Sequence, residues 1–221
     1  MGNEPIDIRY VRVRDIAGEK KIMRSALILA GGSGRRLGCK EKALIPIKGR
    51  TILEYNLDLL ERLVDEIIIS VRDDEQKCVL AQYTGERTII ADHYTDVEPF
   101  AGMLEGLINS EGEYVFITAC DMPFLNPEVV EMLFERAIGH DAAIPVWENK
   151  MLEPLHAVYR TSPMVIETEK AIKNGDKIAL APVFNMKDVV YVDMEDVRAI
   201  DPGLRTFINI NTQEDMELIE E

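Results

Sequence analysis

The chain has 221 residues, 47% of them apolar, and carries no low-complexity tract. That excludes a disordered or fibrous protein. It suits one α/β domain, with or without a small appendage, able to bury roughly 70–75% of its unfolded surface without staples. Forty acidic residues against 25 basic ones give a formal charge of -15, a surface that repels duplex nucleic acid and anionic lipid, so neither is expected as a partner.

Cys39, Cys78 and Cys120 are odd in number and match no zinc spacing, which predicts reduced thiols and a cytoplasmic location. No apolar run approaches the roughly 18 residues of a membrane span. Residues 1–22 are too charged for a secretory signal and are read as an N-terminal extension, either an added edge strand or a poorly ordered lead. Residues 23–221 then form the domain.

From Ser25 the pattern alternates strand and helix. Ser25–Ala30 is an apolar run stopped by glycines, as in a buried strand. Thr51-x-x-Glu54 is a capping box opening a helix with Leu53, Leu57, Leu60 and Val64 on one face. Strands are predicted at Glu66–Val71, Arg87–Ala91, Glu113–Ala119, Ala142–Val146, Pro154–Arg160, Val189–Val192 and Phe207–Ile210. Helices are predicted from Asp74 to Tyr83, Ala101 to Asn109 and Asn126 to about Ile138, and from Ser162-Pro163 to Gly175, with a last one capped by Thr212. The alternation indicates an α/β fold: a mostly parallel sheet with helices on both faces and ligands beyond the carboxyl ends of the strands.

The loop after the first strand reads Gly31-Gly32-Ser33-Gly34-Arg35-Arg36-Leu37-Gly38-Cys39-Lys40-Glu41-Lys42. Glycines let backbone N–H groups approach phosphate oxygens, and Arg35, Arg36 and Lys42 can balance polyphosphate charge. Residues 31–50 hold six cations against Glu41 alone, within an acidic chain. The loop is neither a P-loop, since Gly-x-x-x-x-Gly-Lys-Ser/Thr is absent, nor a dinucleotide fingerprint, since Leu37 stands where the third glycine belongs.

Leu29-Ala30-Gly31-Gly32-x-Gly34-x-Arg36, followed by Lys42-x-Leu44, resembles the signature of the nucleotidyltransferases that activate sugars, isoprenoids and cofactors. Among these, the chain from Met23 onward most resembles the molybdenum cofactor guanylyltransferases. The resemblance implies a three-layer, Rossmann-like nucleotide-diphospho-sugar transferase fold. It also implies nucleotide contacts from Leu29, Ala30, Gly31, Gly32, Ser33, Gly34 and Lys42, with Lys42 and Arg35 as catalytic cations.

Cys120-Asp121-Met122-Pro123-Phe124 ends an apolar strand with one carboxylate. Asp121 reads either as a Mg²⁺ ligand or as a cap for its own turn; the resemblance selects the metal and a catalytic role. It likewise implies that Asp92 selects guanine, whose ring N–H and exocyclic amine suit a carboxylate. Gly102 would meet the nucleotide, although Glu98 replaces the first glycine of the family's Gly-Pro-Leu-Ala-Gly.

On the acceptor side the resemblance implies Asn209 and Asn211, two apart on one strand face, and His156. A lone histidine between Leu155 and Ala157 also reads as a structural residue, and Trp147 reads either as a pterin contact or as half-buried core. The implied reaction passes GMP from GTP to the terminal phosphate of molybdopterin, with Mg²⁺ as cofactor. Partners would be the two substrates and the cofactor-delivery or molybdoenzyme proteins. The alternatives are a transferase of the same fold acting on a cobinamide phosphate or sugar phosphate, and a nucleotide-binding module without catalysis.

Overall fold

The computed structural model describes residues 21–32, 41–91, 100–176, 180–212 and 214–216, with Phe100 and Ala101 described through their backbone alone. The predicted extension therefore lies outside the described residues apart from Lys21 and Ile22. Ser33, Gly34, Arg35, Arg36, Cys39, Asp92 and Glu98 lie outside them as well.

Among the described residues nine strands occur in chain order: β1 (Arg24–Leu29), β2 (Pro46–Ile47), β3 (Arg50–Thr51), β4 (Glu66–Val71), β5 (Thr88–Ala91), β6 (Tyr114–Ala119), β7 (Ala142–Val146), β8 (His156–Arg160) and β9 (Val189–Asp193). The helices are α1 (Ile52–Leu60), α2 (Asp74–Thr84), α3 (Phe100–Ile108), α4 (Pro127–Ala137), α5 (Thr161–Asn174), α6 (Ala181–Asn185) and α7 (Met194–Ile200). Seven strands form one sheet in the order β5-β4-β1-β6-β8-β7-β9. β8 runs antiparallel to both its neighbours, and the other pairs are parallel.

The period-2 alternation of the strands sorts their side chains into two layers. Ala26, Ile28, Ile69 and Phe116 face one core with Leu53, Leu57 and Leu60 of α1, Leu80 of α2, and Val130 and Phe134 of α4. Leu27, Ile68, Val115 and Ile117 face the other with Met103 and Leu107 of α3 and Met164 of α5. Helices thus cover both faces, which explains why the central strands read as continuous apolar runs. The predicted capping box is formed: Thr51 accepts from Glu54 N, and Glu54 accepts from Thr51 N. Asn126 caps α4 with Pro127 at its first position.

Two predicted strands change, and β2, β3, α6 and α7 are additions. Phe207–Ile210 is not a strand: Arg205–Phe207 is a short 3-10 turn entered from Leu204 at φ 49°, and the chain continues extended without a ladder. Both edges of β6 are already taken, by β1 and β8, so Ile208 and Ile210 pack by side chain against Ile45, Ile47 and Ile52 instead. The predicted strand at Pro154 starts only at His156, and the Pro154 carbonyl accepts from the Tyr159 hydroxyl at 2.8 Å. The hairpin β2–β3 is an addition to the predicted elements. Lys48 and Gly49 both take positive φ, the two-residue turn that matches strand twist, and a Lys-Gly pair signals it weakly.

Candidate active site

The strand order reverses at β1, which has β4 on one side and β6 on the other. Leu29 pairs in register with Ser70 of β4 and with Ala119 of β6. The turns that follow these three strands therefore emerge side by side at the carboxyl edge, where open α/β sheets bind ligands. A cleft of about 260 Å³ opens there, lined by Leu29, Gly31, Gly32, Lys42, Gly102 and Asp121, and further by Ser70, Arg72, Cys120 and Leu155. Six residues predicted from the sequence thus meet in one cavity.

Lys42 opens a short 3-10 turn, Lys42–Leu44, whose Ala43 is buried. From there its ammonium donates to Asp121 Oδ2 at 2.7 Å and to Asn211 Oδ1 at 2.5 Å. The side chains of Lys42 and Asp121 are each 15% exposed, so the pair is shielded but reachable from the cleft. Asn211 arrives because Ile210 N donates to the Asp121 carbonyl at 2.9 Å, fastening the C-terminal segment beside the end of β6. Asp215 then accepts from the Asn211 and Thr212 amides, each at 2.8 Å, and fixes the turn that presents Asn211. Asn209 is used differently, since its Nδ2 donates to the Phe207 carbonyl at 3.1 Å.

A second network has no counterpart in the sequence reading. Glu41 is 7% exposed and accepts both terminal nitrogens of Arg72, a bidentate pair. Gln76, 1% exposed, donates to Glu41 and, at 2.7 Å, to the Ala30 carbonyl, while its Oε1 accepts from Arg72 N at 2.8 Å. Asp73 joins the circuit by accepting from Arg72 Nε at 3.1 Å and from Gln76 N at 2.7 Å. The hydrogen bond to Glu41 holds the Arg72 guanidinium above the ordinary arginine value. Asp73-x-x-Gln76 is legible as a helix start, but its partners lie across the sheet.

His156 does not reach the cleft. It is fully buried, packed edge-on against Phe116 and Phe207 at 5.2 and 4.9 Å, with Nε2 3.1 Å from Thr206 Oγ1. Burial pulls its pKa down to about 3. The acceptor-side role predicted for it is corrected to a core one, because β8 lies inside the sheet and His156 faces the helical layer of Phe116. Trp147 donates to Glu153 at 2.6 Å and leans on Phe207. Cys120 is buried, its thiol pushed up to about 12 by desolvation, and is inert as a nucleophile.

Among the described residues no group of three or more His, Cys, Asp or Glu could hold a metal by itself, and no helix is long and apolar enough to cross a membrane. Any cation here would depend on Asp121 together with substrate oxygens. That is how Mg²⁺ is commonly held: one or two carboxylates, with phosphates and waters completing the shell.

The cleft is where an open α/β sheet holds a nucleotide, and the comparison with known families places the protein among the nucleotidyltransferases. The MobA-like NTP transferase domain matches residues 26–181, and the chain belongs to that family. It is 52% identical to a probable molybdenum cofactor guanylyltransferase of Methanosarcina mazei, across 90% of this chain and 91% of that one. A probable molybdenum cofactor guanylyltransferase of Natronomonas pharaonis is 35% identical across 88% and 95%. Among solved structures, molybdopterin-guanine dinucleotide biosynthesis protein A of Archaeoglobus fulgidus superposes with a TM-score of 0.75 at 32% identity, covering 89% of this chain and 96% of that one.

Proposed function

We propose that the protein transfers GMP from GTP to the terminal phosphate of molybdopterin, releasing pyrophosphate. The observation that carries this reading is the meeting of Lys42 and Asp121 at 2.7 Å beside Gly31 and Gly32, in a chain whose relatives bear the name molybdenum cofactor guanylyltransferase.

A phosphate monoester is already anionic near neutral pH, so the acceptor needs no strong general base. Its oxygen attacks the α-phosphorus of GTP, the bond to the β-phosphate oxygen breaks, and the electron pair leaves with pyrophosphate. The work of the protein is positioning and charge stabilisation. Gly31 and Gly32 offer backbone without a Cβ to the phosphates. Lys42 leaves Asp121 for the polyphosphate and stabilises the charge that grows on the leaving group. Arg35 is assigned the same task, and Asn211 steadies Lys42 while facing the acceptor.

Asp121 is the residue that would hold Mg²⁺, which when bound neutralises phosphate oxygens and lowers repulsion between nucleophile and electrophile. Asp92, next in the chain after the end of β5, is assigned to the guanine edge.

The test is incubation with GTP, Mg²⁺ and molybdopterin, following pyrophosphate. Release that depends on molybdopterin supports the reading. Release only with cobinamide phosphate or a sugar phosphate moves the acceptor, and tight GTP binding without release from any acceptor leaves a binding module.

A further inference from the structure

We infer that Glu41, Arg72 and Gln76 form a clamp that holds both ends of the glycine loop and so sets Lys42 opposite Asp121. The inference rests on the reading of the cleft as a nucleotide site. Its members are positioning residues, not nucleotide ligands.

The geometry is a closed circuit. Gln76 grips the Ala30 carbonyl, the last residue before the glycines, and with its other amide proton the Glu41 carboxylate, the last residue before Lys42. Arg72 holds Glu41 from the β4 side and is itself oriented by Asp73. Ala30 N donates to the Ser70 carbonyl at 2.7 Å, so the first end of the loop is also tied to β4, two residues before Arg72. Glu41 and Gln76 are nearly inaccessible, which keeps these hydrogen bonds from exchanging with water.

The two ends of the loop are thus anchored on one side chain. Without the circuit, bringing Ala30 and Lys42 together would add a loop-closure cost to nucleotide binding. With it, that entropy is already lost on folding.

Arg72 lines the cleft, and a cation there invites assignment as a phosphate ligand. Its charge is already met by Glu41 and Asp73, and all three guanidinium nitrogens donate to them. The two roles predict opposite signs. If Arg72 served phosphate directly, Glu41→Gln would release its charge and tighten GTP binding. If Arg72 serves the clamp, the same change weakens it.

The experiment is GTP·Mg²⁺ titration of Glu41→Gln, Arg72→Lys and Gln76→Leu in the full chain. Amide exchange at Gly31, Gly32, Lys42 and Ala43 is read alongside without nucleotide. The clamp predicts about tenfold weaker GTP binding in Glu41→Gln and Gln76→Leu, on the scale of losing a charged hydrogen bond. It also predicts an intermediate loss in Arg72→Lys, faster exchange at those four amides, and an unchanged KM for the acceptor.

Wild-type or tighter binding in Glu41→Gln, with exchange unaltered, overturns it. Should Gln76→Leu fail to fold, the Glu41→Gln sign decides alone. Because exchange is read without nucleotide, a clamp failure is distinguishable from a wrong functional reading, which would appear as wild-type protein that does not bind GTP.

Discussion

The amide of Ile210 donates to the carbonyl of Asp121 at 2.9 Å, across 89 positions of sequence, so the segment carrying Asn211 is fastened to the residue whose carboxylate holds Lys42. A strand-end acid, a loop lysine and a C-terminal amide become one unit through that single backbone bond. The packing of Ile210 with Ile45, Ile47 and Ile52 supports it from below.

Lys42→Ala and Asp121→Ala are each expected to reduce turnover by at least about 100-fold, the scale of one lost electrostatic contact in the transition state. Because the two side chains touch, the double variant should lose much less than the product of the single losses. Steady-state pyrophosphate release in the three variants measures this.

The two asparagines should separate. Asn211→Ala removes the acceptor of a 2.5 Å bond from Lys42 and is expected to reduce turnover about tenfold. Asn209→Ala removes a bond to the Phe207 carbonyl and should act on thermal stability more than on turnover. Paired measurement of kcat and Tm in both variants checks the distinction.

His156 gives a pH signature in stability. Its folded pKa is depressed to about 3, whereas the unfolded chain titrates near 6.5. Between those values the unfolded state binds the extra proton, so stability is full above about pH 6.5 and falls as pH drops, approaching about 1.4 kcal/mol per pH unit from this residue. Glu153, raised by burial, contributes in the opposite sense at acid pH, so the difference between proteins is the quantity to read. Denaturant titrations of wild type and His156→Gln at pH 7 and 5 should show a smaller loss in the variant.

Two glycines should fail for different reasons. A Cβ on Gly106 would collide with the Leu27 side chain on the central strand, so Gly106→Ala is expected to cost about 1–3 kcal/mol of stability by overpacking. A Cβ on Gly31 would meet only ordinary contacts with Arg72 at 3.7 Å. Gly31→Ala should therefore keep the wild-type Tm and lose GTP binding, because the clash would be with the nucleotide; calorimetry on both variants checks this.

The parts of the molecule that announce themselves locally are readable in the chain. Ser25–Ala30, Glu66–Val71 and Glu113–Ala119 are largely apolar because both faces of β1, β4 and β6 are covered, and Thr51 and Asn126 cap helices with their own neighbours. Lys42 and Asp121 stand out because each ends a pattern of glycines or apolar residues, but by itself Asp121 reads equally as a turn cap, and the family resemblance is what selects a metal role for it. What stays hidden depends on distant partners. Glu41 looks like a lone acid among cations until Arg72 is brought across from the end of β4, and Ile208-x-Ile210 alternates like a strand although β6 has no free edge for it. His156 shows the same limit, since its neighbours in sequence do not reveal Phe116 and Phe207.

The most direct measurement follows the α-phosphate. With α-labelled GTP, Mg²⁺ and molybdopterin, the wild-type protein should move label into the pterin product in step with pyrophosphate release, and Asp121→Asn should move almost none. Equal label transfer by Asp121→Asn, or pyrophosphate release with the label remaining in free GMP, would contradict nucleotidyl transfer at the Lys42–Asp121 cleft.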